Sequence, residues 1–194
     1  MKKPKRELIL ETALKLFSKN GVAHTRLLEI AKTAKVDPSL ISYYFPTLDS
    51  LYVEVVRKII ESYTSVSVEM TQREPRSALK MIEVYVKSYF TWAKTHHGMF
   101  VLFLHFYHLA SFKPEFAAIN EVTRDTGRAR IEAMIYRGIA EGDIVRMDAA
   151  TVRERASQIQ ALIIGGVITP FTEREPDAEA AAKETWNVVL KLLT

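Results

Sequence analysis

Apolar residues recur at helical spacing along almost the whole chain. Ile9, Ala13, Leu16 and Phe17 fall at i, i+4, i+7 and i+8, one face of a first helix. Asn20-Gly21 stops it, because glycine suits the left-handed position after a helix. Leu27, Ile30, Ala31 and Ala34 make the buried face of a short second helix, with Thr25 as its expected N-cap. The pattern breaks at Lys35-Val36 and restarts at Asp37-Pro38, an N-cap followed by proline at the first helical position. Pro46 ends this third helix at Tyr44-Phe45, since the residue before a proline avoids helical geometry. Thr47 caps a fourth helix that carries Leu51, Val55 and Ile59 towards Met70. The polar stretch 71–75, ending in Pro75, reads as a junction. A helix from Ser77 to His97 follows, and Gly98 separates it from the aromatic-rich segment Met99–Ser111. Pro114 opens a long helix ending near Gly142, another runs from Asp148 to Thr169 before Pro170, and Asp177 caps the last. No strand-type alternation of useful length and no repeat interrupts the series.

Composition narrows the function classes. The chain has 194 residues, 48% hydrophobic and 26% charged, enough for a packed core and unlike a disordered or collagenous chain. With no cysteine there is no disulfide, zinc finger, iron–sulfur site or thiol nucleophile. The basic N-terminus has no uninterrupted apolar stretch behind it, and the longest apolar runs are too short for a bilayer, so a cytoplasmic protein without membrane contact is expected. Charge is uneven. Residues 1–60 hold eleven Lys/Arg and six Asp/Glu, a net of +5, while the rest hold sixteen and seventeen, a net of −1, so the positive excess lies wholly in the first third. Such a basic end suits a polyanion, although basic N-termini are also common without one.

The informative segment is 25–45. Two short helices joined by a tight turn at Lys35-Val36-Asp37 make a helix-turn-helix, whose second helix fits a DNA major groove about 12 Å wide. Ile30, Ala31, Val36, Ile41 and Phe45 would hold the unit together. That leaves Pro38, Ser39, Leu40, Ser42, Tyr43 and Tyr44 outward, where hydroxyls can bond phosphates or base edges and Leu40 can meet a thymine methyl.

Phe17-Ser18-Lys19-Asn20-Gly21, Thr25, Glu29-Ile30-Ala31-Lys32, Val36 and the run 41–47 (Ile-Ser-Tyr-Tyr-Phe-Pro-Thr) resemble the signature of TetR-family transcriptional repressors over residues 8–52. A weaker likeness covers Gly138–Asp143 and Ala161–Gly166. The resemblance implies an all-α homodimer of about nine helices. It divides the chain into a helix-turn-helix domain over 1–50 (motif 26–45, recognition helix 37–45), a connecting helix and junction over 51–74, and an effector-binding and dimerisation bundle over 75–194. The implied partners are palindromic double-stranded DNA and a small, largely apolar effector, with no cofactor and no metal. The implied DNA contacts are Thr25, Arg26, Pro38, Ser39, Leu40, Ser42, Tyr43, Tyr44 and Thr47, with Lys2, Lys3, Lys5 and Arg6 available as a phosphate-binding arm or as a solvated tail. The chain departs from the family pattern at Lys35, often glycine, at Leu48, usually a phosphate-gripping lysine, and at Ser42, often tyrosine.

The remaining two thirds are aromatic-rich, and most of those rings must be core. The pocket expected between the helices from Ser77 to Gly142 draws on Tyr85, Tyr89, Trp92, Phe103, Phe106 and Tyr107, with His105 and His108 as polar partners. Metal ligation by the histidines is disfavoured, because Glu115 and Asp125, the carboxylates that would orient them, are remote in sequence. Gly165-Gly166 lies mid-helix, where each glycine costs about 1 kcal/mol relative to alanine. Close backbone approach is one reason to carry that cost. The family resemblance places a subunit interface there, with Gln158, Leu162, Gly165, Gly166, Trp186 and Val189, against the alternative of a kink inside one subunit. Two rival readings stay open: a helical enzyme using the His/Tyr-rich segment 96–108 on an apolar substrate, and a helical adaptor whose basic end meets acidic protein or lipid.

Overall fold

The computed structural model describes residues 4–73, 77–171 and 177–194. Among them lie nine α-helices and no strand: α1 (Lys5–Asn20), α2 (Leu27–Ala34), α3 (Pro38–Tyr44), α4 (Leu48–Gln72), α5 (Ala78–Thr95), α6 (His97–Ala110), α7 (Pro114–Glu141), α8 (Ala149–Phe171) and α9 (Ala178–Leu193). This is the all-α class that the periodicity implies. No helix among the described residues is long and apolar enough to cross a membrane.

Most boundaries have local chemical causes. Gly21 follows α1 at φ 81, a backbone setting that favours glycine. The Asp37 carboxylate accepts the Ser39 N–H at 2.8 Å at the start of α3, and Pro38 follows it at the first helical position. Thr47 Oγ1 accepts from Ser50 N–H while Ser50 Oγ accepts from Thr47 N–H, a reciprocal cap on α4. Asp177 accepts from the N–H groups of Glu179 and Ala180 to start α9. Glu141, inside the segment Gly138–Asp143, accepts the Ala78 N–H at 2.9 Å and so caps α5 from the end of α7. The Arg137 and Ala78 hydrogen bonds hold its carboxyl below the usual range.

Three boundaries differ from expectation. Thr25 does not cap α2: the preceding residue of the helix is Arg26, and the Thr25 hydroxyl donates to Gly21 O at 2.9 Å, closing the turn after α1. The break between α5 and α6 falls at His96 (φ −125, ψ 45), and Gly98 sits inside the first turn of α6. Gly98 is there for contact, since a Cβ on it would lie 2.9 Å from Ser18 Cβ of α1. Pro170 does not stop α8, which continues to Phe171. A proline in the last turn removes one N–H without breaking the turns before it. The expected junction residues Glu74 and Pro75, and the arm residues Lys2 and Lys3, lie outside the described residues.

Lys35 ends α2 at φ 52, ψ 48, in the left-handed region where a side chain costs about 1–2 kcal/mol. Lys35→Gly is therefore expected to raise stability by roughly 0.5–1 kcal/mol, the relief exceeding the added unfolded-state entropy. A urea unfolding midpoint at or below wild type would contradict this.

The chain groups into two compact units, 1–62 with 96–117, and 63–95 with 118–194. In the first, α1 packs on α2, α3 and α6. Ile9, Ala13, Phe17, Ile30, Ile41, Phe45 and Tyr52 are all at most 1% exposed there. The Tyr52 ring stands edge-on to Phe17, and its hydroxyl donates to Leu102 O at 2.6 Å. Burial pushes that hydroxyl's pKa up, so it remains a donor. In the second unit, α5, α8 and α9 pack together around Ile82, Val86, Phe90, Ile159, Ile163 and Val189. These units cut the chain elsewhere than at residues 50 and 74, because α6 packs on α1 and α4 runs unbroken through both stretches.

Candidate nucleic-acid interface and interior tyrosine cluster

The helix-turn-helix is anchored from beneath. Ile30 and Ile41 are fully buried, Ala31 and Phe45 nearly so, and Val36 is half-buried. The Arg6 guanidinium covers the Phe45 ring at 5.3 Å and pairs with Glu54 at 2.6 Å. Arg6 is thus docked within α1, not part of a loose arm, and Lys5 begins the same helix.

The opposite side of α3 is open. Pro38, Ser39, Ser42, Tyr43 and Tyr44 are exposed and Leu40 is half-exposed; Tyr43 has 77% of its surface free. The Tyr43 and Tyr44 rings meet edge-on at 5.2 Å, which limits their freedom before any contact is made. Ser39 Oγ donates to Asp37, leaving its lone pairs as acceptors, and these bonds hold the Asp37 carboxyl below its usual range. Arg26 and Thr47 are exposed at the starts of α2 and α4. Thr25 is the exception. It is 2% exposed with its hydroxyl bonded within the chain, so no phosphate reaches it, and it drops out of the candidate interface. Leu28 went unseen in the sequence. It is a large apolar side chain 67% exposed on α2, which periodicity could not separate from its buried neighbours because Leu27 and Leu28 are both leucine.

The residues expected to line a pocket fall into different units. Phe103, His105, Phe106, Tyr107 and His108 belong to the first. Phe106 is core, Phe103 and Tyr107 meet edge-on at 4.9 Å, His105 lies against Tyr52 at 5.5 Å and His108 against Phe112 at 5.1 Å. Burial, His108 and Lys113 together lower the His105 pKa against a smaller upward pull from Asp49. Tyr85, Tyr89 and Trp92 belong to the second unit, where Tyr63 joins them. Tyr63 contacts Tyr89 at 5.4 Å and Trp92 at 5.8 Å, and the Tyr85 and Tyr89 hydroxyls are 2.9 Å apart. The positive charge of Arg130 on α7 acts on both hydroxyls. Tyr63 and Arg130 escaped the sequence reading because each sits on a different helix from the aromatic run; only packing unites them.

The expected interface residues also separate. Gln158, Leu162 and Gly165 of α8 line, with Val188 and Leu192 of α9, a shallow apolar groove of ≈ 580 Å³. A side chain on Gly165 would meet nothing within 4 Å. Gly166 borders the same groove, but a Cβ on it would run into the Thr185 hydroxyl and lie 3.2 Å from Phe90. Its close approach is therefore within this chain. Trp186 lines a different hollow, between α5 and α9, and Val189 is fully buried. Neither of those two presents itself to a partner on the groove side.

An open short helix held by a buried underside, after a second short helix and a tight turn, is the geometry of a helix-turn-helix. The family model described as bacterial regulatory proteins, tetR family, matches residues 9–55. The HTH-type transcriptional regulator RutR of Escherichia coli is 35% identical over 83 residues, 43% of this chain and 38% of RutR. The HTH-type transcriptional repressor NicS of Pseudomonas putida is 29% identical over 87 residues, 44% of this chain and 41% of NicS. The match to these relatives thus spans about two fifths of their length. A Saccharomonospora viridis protein, described as a transcriptional regulator in complex with choline, superposes with a TM-score of 0.82 at 19% identity, covering 95% of each chain. Residues 9–55 thus match the tetR-family domain, and the chain as a whole shares its fold with that solved structure.

Proposed function

We propose that this chain is a sequence-specific DNA-binding transcriptional regulator, acting as a homodimeric repressor that a small, largely apolar effector releases from its operator. The observation that carries the reading is the two-sidedness of α3: Ile41 and Phe45 are buried while Ser42 and Tyr43 face solvent. In this reading Arg26, Pro38, Ser39, Leu40, Ser42, Tyr43, Tyr44 and Thr47 form the DNA face, the stretch 75–194 provides effector binding and dimerisation, and the α8/α9 groove is the self-complementary patch. A two-fold dimer would set its reading helices into major grooves about 34–36 Å apart or a multiple of that. An effector that weakens DNA affinity a hundredfold must couple by roughly 2.7 kcal/mol, and DNA must weaken the effector equally.

Sequencing of DNA fragments selected by the purified protein tests this. The expected result is one enriched site with two-fold symmetry. No enrichment over bulk DNA at low salt would end the proposal. On the recovered site, Tyr43→Ala is expected to lose roughly 1–3 kcal/mol of affinity. Unchanged binding by that variant in a gel-shift titration would show that α3 is not the reader.

A further inference from the structure

The second compact unit holds an interior group that packing alone does not explain. Tyr63 of α4 and Tyr85, Tyr89 and Trp92 of α5 are buried or largely so and touch ring to ring. Buried tyrosine hydroxyls need partners, and two of these find each other at 2.9 Å. α7 comes close to these hydroxyls, since a Cβ on its Gly127 would lie 3.9 Å from the Tyr85 hydroxyl, and one turn further along Arg130, half-buried, brings a permanent positive charge that acts on Tyr85 and Tyr89. Among the described residues no carboxylate pairs with it. Its acidic neighbours on α7 are engaged elsewhere, Asp125 and Glu132 both with Arg128. One turn beyond Tyr63, Ser67 is 1% exposed and its hydroxyl has no hydrogen-bond partner. A partly desolvated guanidinium without a counter-charge is costly in an apolar setting, and so is an unpartnered buried hydroxyl such as that of Ser67 on the helix that carries Tyr63.

An anion removes that cost. A carboxylate matches the guanidinium fork and accepts from hydroxyls. Burial raises the pKa of Tyr85 and Tyr89, so both stay protonated, and whichever of the two accepts in their mutual bond keeps its own proton to donate. The surrounding rings suit an apolar body. A single unpaired guanidinium fits a monoanion better than a phosphate dianion. A quaternary ammonium such as choline would enjoy the rings but meet the Arg130 charge, with no free carboxylate in the cluster to balance it.

We infer that the Tyr63–Tyr85–Tyr89–Trp92 cluster binds a small organic carboxylate, its anionic end on Arg130 and its apolar body against the rings; this rests on the effector reading above and specifies its chemistry. The test is calorimetric titration of the full chain with benzoate, 3-phenylpropionate and octanoate, their uncharged amides, and choline. Each probe is also added to a DNA-retention assay. At least one carboxylate is expected to bind ten times more tightly than its amide. Arg130→Met should reduce that preference to below threefold, and Arg130→Lys should keep most of it, with unfolding midpoints confirming that both variants fold. An amide or choline binding as tightly as the carboxylates, or a preference that survives Arg130→Met, overturns the inference. If choline or an amide then releases DNA, effector control stands and only the carboxylate assignment falls. If no probe binds and DNA retention responds to none, the assignment falls together with the support for an effector site here.

Discussion

Phe45→Ala is expected to cost roughly 3–5 kcal/mol of unfolding free energy and to abolish operator binding. The Phe45 ring is 1% exposed, at the C-terminal end of α3, where it plugs the underside of the helix-turn-helix. It is roofed by the Arg6 guanidinium at 5.3 Å and tilts against Tyr44 at 6.2 Å. Truncation removes the ring's buried area and leaves a cavity that fully buried Ile41 cannot refill without moving α3. Arg6 would also lose its platform, although its pair with Glu54 is exposed and worth little by itself. Because α3 has only seven residues, too few to hold as a helix without tertiary support, loss of this anchor should disorder the reading surface. Urea unfolding and gel-shift titration of the same preparation check both halves. A loss under 1 kcal/mol with normal DNA retention would show that Phe45 is not the anchor.

Gly166→Val is expected to cost about 3 kcal/mol, the upper part of the range for overpacking. A Cβ at this position meets the Thr185 hydroxyl, and Thr185 is itself only 8% exposed on α9. Behind it Phe90 Cζ lies 3.2 Å away, on a ring 2% exposed. Neither neighbour is the far end of a flexible chain, so α8 and α9 must separate or Thr185 must turn. Helix propensity opposes the cost by less than 1 kcal/mol, because valine is a better helix former than glycine, and the clash wins. Thermal unfolding measures it. A melting temperature equal to or above wild type would mean that the α8–α9 approach is looser than these distances state.

Much of the molecule is legible residue by residue in the sequence. Asp37-Pro38, Thr47, Pro114 and Asp177 mark helix starts at the places where they occur, because a cap acts over three or four residues and needs nothing from elsewhere. The buried and open sides of α3 are equally legible, since one helical turn carries the pattern. Thr25 shows the limit. A threonine before a helix reads as a cap, yet its hydroxyl closes the turn back to Gly21, a choice that depends on how α1 ends. Pro170 and Gly98 mislead for a related reason: both are breakers by type, but the last turn tolerates the one and α1 packing requires the other.

The amino-acid order by itself determined the helices, most of their ends, the outward face of α3 and the family signature, because each rests on interactions only a few residues long. Tertiary structure decided that Gly166 meets Thr185 and Phe90 while Gly165 opens on the groove, and that Trp186 and Leu162 face different hollows. It also decided that Tyr63 and Arg130 join Tyr85 and Tyr89. Those pairings follow from which helix faces meet, and the meeting of faces is set by the packing of the whole core.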